Sequence, residues 1–152
     1  MLQIFVDADA CPVKSEVYRV AGRYQLEVTL VANSWMRIPH ERLIALEVVG
    51  AGSDAADDWI VDHVQSCDIV VTADILLADR CLKKNARVIG SNGKLFTENN
   101  IGSAVATRDL LAELRGAGEM TGGPPPLRKR DRSRFLHQLD EVIQTIRREH
   151  LL

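Results

Sequence analysis

The sequence predicts an α/β protein: a three-layer α/β/α sandwich around a mainly parallel sheet of about five strands. Two observations carry this. Five short apolar runs, 2–7, 26–32, 43–49, 68–74 and 86–90, recur along the chain, and most are separated by segments with apolar residues at helical spacing. Strands that alternate with helices pair in parallel, because the crossover helices must cover both faces of the sheet. The 152 residues suit a single domain, 1–152, ending in a basic Pro/Gly-containing loop and a C-terminal helix over 120–152.

The elements follow in order. LQIFVD (2–7) is a short apolar run that ends on an acid. Pro12 suits the first position of a helix, and Val13, Val17, Val20, Ala21 and Tyr24 continue it at helical spacing. LEVTLVA (26–32) and LIALEVV (43–49) are the next strands. Gly50 and Gly52 then punctuate, and Ser53 is placed to cap a helix whose first turn holds Asp54, Asp57 and Asp58. DIVVTAD (68–74) is β-branched and the clearest strand, followed by the helical ILLADRCLKKN. ARVIG (86–90) is the fifth strand and SNGK (91–94) a turn. A helix is predicted from about Glu98 to Arg115. TGGPPP breaks the pattern, and a last helix over about 131–149 aligns Phe135, Leu139, Val142 and Ile146 on one face.

Composition narrows the function classes. Lys plus Arg number 19 and Asp plus Glu 21, for a net charge of −2, which excludes a simple basic DNA-coating protein but leaves local charge free to bind nucleic acid. No apolar run approaches the roughly 20 residues of a membrane helix, so no membrane association is expected. The chain starts without a basic leader or a small-residue cleavage site. Cys11, Cys67 and Cys81 are odd in number and form no CxxC, which argues against a disulfide framework or a structural zinc site. A cytoplasmic protein with reduced thiols is expected.

Chemistry in an open parallel sheet gathers at the carboxyl ends of the strands. Asp7 ends the first strand and Asp74 the fourth. Asn33 follows the second, and Ser91 and Asn92 follow the fifth. Asp54, Asp57 and Asp58 open the helix after the third, on the same rim. Crowded carboxylates repel unless a cation neutralises them. The candidate ligands are all oxygen donors, Asp7, Asp9, Asp54, Asp57, Asp58, Asp74 and Asp79, which suits Mg²⁺ or Mn²⁺. An ion held this way polarises a phosphate and activates water, so the expected reaction is phosphodiester hydrolysis.

Each residue also has a plainer reading. Asp9 lies just before Pro12, and capping the first helix explains it as well as metal binding does. Asp54, Asp57 and Asp58 suit a helix N-terminus without any metal. Asp62 reads as solvated, Asp68 belongs to the opposite rim, and Asp79 points to the site or away from it. Asp7 and Asp74 resist such explanations, because each ends an apolar strand where a lone acid is partly desolvated. Lys14 is a phosphate ligand or a surface lysine. Cys11 reads as a small buried thiol, and no histidine is assigned a role.

Together DADACPVK, SDAADDWIV, DIVVTADILLADRCL and TGGPPPLRKRDRSRF resemble the bacterial YaiI/YqxD family, in the same order, from residue 2 to about 148. That family is similar to the PIN-like nucleases, which hold Mg²⁺ or Mn²⁺ with acids after the first and fourth strands. The resemblance implies a PIN-like fold. It puts Asp7 and Asp74 at the centre of a catalytic site, with a middle acid from Asp54, Asp57 or Asp58, for which Asp58 is the first choice, and Asp9 and Asp79 in support. Two departures stand out. Leu76 replaces a proline common after the TxDI acid, and Ser91-Asn92-Gly93-Lys94 replaces an Asn-Pro-Arg-Gly turn.

The tail RKRDRSR sets Arg128, Lys129, Arg130, Arg132 and Arg134 against Asp131. Residues 124–152 hold seven Lys or Arg against four Asp or Glu, whereas 1–123 hold 12 against 17. Three roles are open to this basic end: contact with nucleic-acid phosphates, a solvated surface, or pairing with acids of the body. Aromatic residues make up 5% of the chain, and only Phe135 adjoins the basic run, which gives little support to base stacking. The expected function is therefore a metal-dependent nuclease acting on RNA ahead of DNA. Asn33, Asn92, Lys94, Lys14, Arg128, Arg130 and Arg132 are its candidate phosphate contacts. The alternatives are a non-catalytic RNA-binding or protein-interaction module of the same fold and, last, a phosphatase of the haloacid dehalogenase type with Asp7 as nucleophile. The Gly-Thr usual after the second acid in that class is Ala10-Cys11 here.

Overall fold

The computed structural model describes residues 2–50, 52, 54–116 and 127–150, with 112–116 as backbone only. Six strands form one sheet: β1 (Gln3–Asp7), β2 (Glu27–Ala32), β3 (Ile44–Val48), β4 (Ile69–Val71), β5 (Arg87–Ile89) and β6 (Leu95–Phe96). Their order is β3-β2-β1-β4-β5-β6, and all pairs are parallel except the antiparallel β5–β6. The connections run outward from β1 to β3 and then jump back to β4 on the other side of β1. The topological switch point therefore lies between β1 and β4, where open α/β sheets leave a crevice at their carboxyl ends.

The α-helices among the described residues are α1 (Lys14–Tyr24), α2 (Ala55–His63), α3 (Ile75–Leu82), α4 (Glu98–Gly116) and α5 (Lys129–His150). Strand side chains alternate between faces. Ile4, Val6, Leu30 and Val71 pack under α1 and α5 with Val17, Val20, Phe135, Leu139 and Ile143. Phe5, Val31, Val70 and Val88 pack on the other face with Ile60, Leu77, Ala78 and Ile101 of α2, α3 and α4. The expected sandwich is thus present, with the last helix docked on the first. Polar bonds pin that docking: Tyr24 Oη donates to Asp140 Oδ1 at 2.7 Å, and the Arg147 guanidinium lies 4.9 Å from the Tyr24 ring centroid. The Tyr24 hydroxyl is the leading cause of a lowered Asp140 pKa.

Several boundaries differ from those expected. The fourth strand stops at Val71 instead of 74, because Asp74 gives its N–H to the Thr72 hydroxyl and turns to cap the next helix. The first helix begins at Lys14, after Pro12, with Val13 at its cap position and no side-chain cap; Asp9 does not cap it. Ser53 lies outside the described residues, and Asp54 occupies the cap position of α2 without a capping bond. Strand β6 was not expected. It spans two residues, too few for a periodicity signal, and pairs with β5 through the turn at Gly93, whose φ is +87°. The predicted Gly/Pro break, TGGPPP, lies outside the described residues. No helix among the described residues is long and apolar enough to cross a membrane.

Candidate functional site

The register of the central strands builds the site. Val6 pairs with Val71, so the next residues, Asp7 and Thr72, come side by side as the strands end. Thr72 is 2% exposed, and its hydroxyl donates to Asp7 Oδ2 at 2.9 Å. Thr72 Oγ1 also accepts the Asp74 backbone N–H at 3.0 Å. Asp74 in turn caps α3, its Oδ1 accepting from the backbone N–H groups of Leu76 and Leu77 at 2.9 and 3.3 Å. One threonine hydroxyl therefore links the two strand-end acids.

By alternation Asp7 falls on the same face as Phe5, the face covered by α2. Asp57, in the first turn of α2, comes near the pair there. Burial pushes the Asp57 pKa from 3.8 to about 7, helped by the charges of Asp74 and Asp7, by a hydrogen bond to Asp74 that favours the protonated form, and by Asp54. Burial likewise raises Asp7, against the Thr72 hydrogen bond and with help from Asp74 and Asp9. Among the described residues, no lysine, arginine or histidine forms an ion pair with Asp7, Asp57 or Asp74. Nor do three His, Cys, Asp or Glu side chains among them stand close enough to make a ready-formed metal cage.

The other acids have different partners. Asp58 points to Arg80, 2.9 Å away, on the exposed side of α2. Asp79 pairs with Lys83 at 3.2 Å, one turn along α3. Asp54 is exposed at the end of α2. Asp9 Oδ2 accepts the Asn33 backbone N–H at 2.8 Å, and the Asn33 amide donates to the carbonyls of Gly50 and Gly52, both at 3.0 Å. Asp9 and Asn33 thus clasp the loops after β1, β2 and β3. Asp68 belongs to the opposite rim, accepting the N–H groups of Gln3 and Gln65.

The basic candidates divide in the same way. Lys14 Nζ donates to the Cys11 carbonyl at 2.8 Å. Arg132 is committed to the body, donating to Pro12 O at 2.8 Å and Glu16 Oε1 at 3.1 Å. Arg128 and Arg130 are exposed at the start of α5. Asn92 Oδ1 accepts the Lys94 N–H at 3.0 Å within the β5–β6 turn, leaving the Lys94 side chain exposed. Burial raises the Cys11 thiol above its usual range, so it stays protonated at neutral pH.

Two residues of the rim carried no assignment in the sequence. Thr72 was legible only as part of TAD; its bridging role needs the β1–β4 register. Trp35, two residues beyond Asn33, is 75% exposed. The available signal was a tryptophan two positions from Arg37 in the loop after the second strand. Phe135, by contrast, is fully buried on the inner face of α5 and offers no stacking face.

Residues 5–145 match the family described as "Uncharacterized BCR, YaiI/YqxD family". The chain belongs to this family. Curated relatives of the YaiI/YqxD chain agree over nearly its whole length. It is similar to UPF0178 protein amb2838 of Paramagnetospirillum magneticum, 54% identical over 148 residues that cover 97% of this chain and 98% of the relative. A UPF0178 protein of Nitrobacter winogradskyi is 53% identical, over 97% of this chain and 94% of its own. UPF0178 protein RPA2191 of Rhodopseudomonas palustris is 54% identical over the same shares. No solved structure matches this YaiI/YqxD chain.

Proposed function

We propose that this YaiI/YqxD chain is a divalent-metal-dependent phosphodiesterase of PIN-like architecture that cleaves nucleic-acid backbones, with RNA the substrate to test first. One observation carries the reading: Asp7 and Asp74 are tied together through Thr72 at the switch point of a parallel sheet, with Asp57 nearby, and no lysine, arginine or histidine among the described residues forms an ion pair with them. Buried carboxylates that repel one another favour either protons or a bound cation.

The oxygen-only donor set fits Mg²⁺ or Mn²⁺, with Asp7, Asp57 and Asp74 as the holding residues. Because no closed cage is present among the described side chains, water would complete the coordination, as is usual for Mg²⁺. When bound, such an ion supplies phosphate polarisation and a water of lowered pKa. The chain's own residues do the rest. Thr72 and the two N–H groups of Leu76 and Leu77 orient Asp7 and Asp74. Asp57, whose carboxyl favours a proton while the neighbouring acids are unneutralised, would give up that proton to become the third oxygen donor when a cation binds. Asp57 therefore replaces Asp58 in the catalytic set, since Asp58 is engaged by Arg80. Asp9 brace the rim through Asn33, and Lys14, Lys94, Arg128 and Arg130 offer positive charge to the phosphate backbone.

The test is cleavage of single-stranded RNA and DNA with Mn²⁺, Mg²⁺ or chelator, using Asp7→Asn and Asp57→Asn as controls. Metal-dependent cleavage lost in both variants supports the proposal. Salt-sensitive RNA binding without turnover, indifferent to chelator, would replace it with a non-catalytic RNA-binding module.

A further inference from the structure

A cleft of ≈ 580 Å³ opens beside the acids, on the β5 side of the switch point. Ala73 and Ile75, the residues on either side of Asp74, form part of its wall, and Ala10 and Pro12 of the loop after Asp9 form another part. The remaining lining includes Phe96 and Lys94 of the β5–β6 hairpin, Asn92 in its turn and Ala104 of α4. The volume lies in the range of small-ligand sites, roughly 300–1,000 Å³, which are mostly apolar with a few placed polar groups.

We propose that this cleft binds one nucleotide unit, with the base against Phe96 and Ile75, the base edge at the Asn92 amide and the phosphate at Lys94. The choice of occupant deepens the phosphodiesterase reading and rests on it. A mostly apolar cleft with the aromatic Phe96 in its wall fits a nucleobase. Lys94 supplies the single exposed positive charge among the residues just named. The one acid in the lining, Asp131, is engaged elsewhere: its Oδ2 accepts the Arg128 N–H at 3.0 Å, and Arg134 lies 3.9 Å from its Oδ1. The cleft also shares Ala73 and Ile75 with the segment that carries Asp74, so a base lodged there leaves the adjoining phosphodiester next to the acids. Placed this way, the cleft selects single-stranded or end nucleotides, because a paired base cannot enter it.

The experiment is calorimetric titration of the full chain, in chelator, with 5′-AMP and 5′-UMP, against adenosine, ribose 5-phosphate and inorganic phosphate. Amide shifts in NMR spectra locate the site. Saturable one-to-one nucleotide binding is expected, with shifts at Asn92, Lys94 and Phe96, and at least tenfold weaker binding of ribose 5-phosphate and phosphate. Ala104→Trp, which fills the cleft, should weaken nucleotide binding tenfold or more. Lys94→Met should bring nucleotide affinity down to that of the nucleoside, and it serves alone if Ala104→Trp does not fold. Absence of nucleotide binding up to millimolar concentration, or binding that neither variant alters, overturns the proposal. Cleavage of RNA without nucleotide binding sinks the cleft and spares the phosphodiesterase reading. Nucleotide binding in the cleft without cleavage under any metal does the reverse.

Discussion

Thr72 Oγ1 lies 2.9 Å from Asp7 Oδ2 and donates its proton to it, while accepting the Asp74 N–H at 3.0 Å. A nearly buried hydroxyl thus holds two carboxylate-bearing strand ends in one orientation. Thr72→Val keeps the shape and removes both bonds. Losing a hydrogen bond to a charged group costs about 1.5–3 kcal/mol, so a drop of that size in the unfolding free energy from urea titration is expected. The Asp7 pKa should climb further, because Thr72 is what holds it down against burial. Unchanged stability together with an unchanged Asp7 titration by NMR would show that the bond carries no weight.

Asp57 makes stability depend on pH in a definite direction. The folded chain keeps its proton up to about pH 7, whereas the unfolded chain releases it near 3.8. Between those values the folded state binds more protons, so this contribution is full below about pH 4 and fades as pH rises through 7. Asp7, also raised, acts in the same sense. Asp57→Asn should flatten the fall in Tm between pH 4 and 7 and leave the chain more stable than wild type at pH 8. The carboxyl is partly exposed, so solvent screening limits the effect. A pH profile identical to wild type would contradict this electrostatic picture.

Neighbouring Asp58 supplies the contrast. Its bond to Arg80 is an exposed ion pair, so Asp58→Asn should change stability by no more than about 1 kcal/mol. Mn²⁺ affinity, read by calorimetry, should fall at least tenfold in Asp57→Asn and stay near wild type in Asp58→Asn. The opposite ranking would return the third acid to Asp58.

Gly93 fixes how the β5–β6 turn meets α5. Its φ is +87°, and a Cβ there would stand 2.9 Å from Arg134 and Phe135 backbone atoms. Gly93→Ala combines a left-handed backbone with a clash against a helix, so a loss of more than about 1 kcal/mol is expected. A stability equal to wild type would mean that the turn and α5 move apart freely.

Trp35 is exposed enough that its removal should leave Tm unchanged. If it stacks a base, Trp35→Ala should weaken single-stranded RNA binding by about 1–3 kcal/mol. Anisotropy titration decides this, and equal affinity removes the residue from the interface.

How much of this was legible follows from which signals are local. Runs such as IFVD and DIVV, and the spacing of Phe135, Leu139, Val142 and Ile146, are properties of consecutive residues, so strands, helices and the apolar face of α5 could be read directly. The two-residue β6 carries no period and was invisible. That Asp7 and Asp74 lie on one rim, at or just past the carboxyl ends of their strands, was also legible, because parallel topology forces it. Which of Asp54, Asp57 and Asp58 turns toward them was not. Neighbouring positions on a helix differ by about 100° in direction, and only the seating of α2 on Phe5 and Val31 chooses among them.

The sequence by itself determined the alternation of elements, the family, and the rim on which the acids would gather, since these depend on short-range pattern and on the rules of parallel sheets. Tertiary structure alone decided that Thr72 joins the two strand ends, that Asp57 faces inward while Asp58 meets Arg80, that Asp9 and Asn33 brace loops, and that a cleft adjoins Asp74. Those outcomes depend on strand register and helix rotation, which are set by packing between residues far apart in the chain.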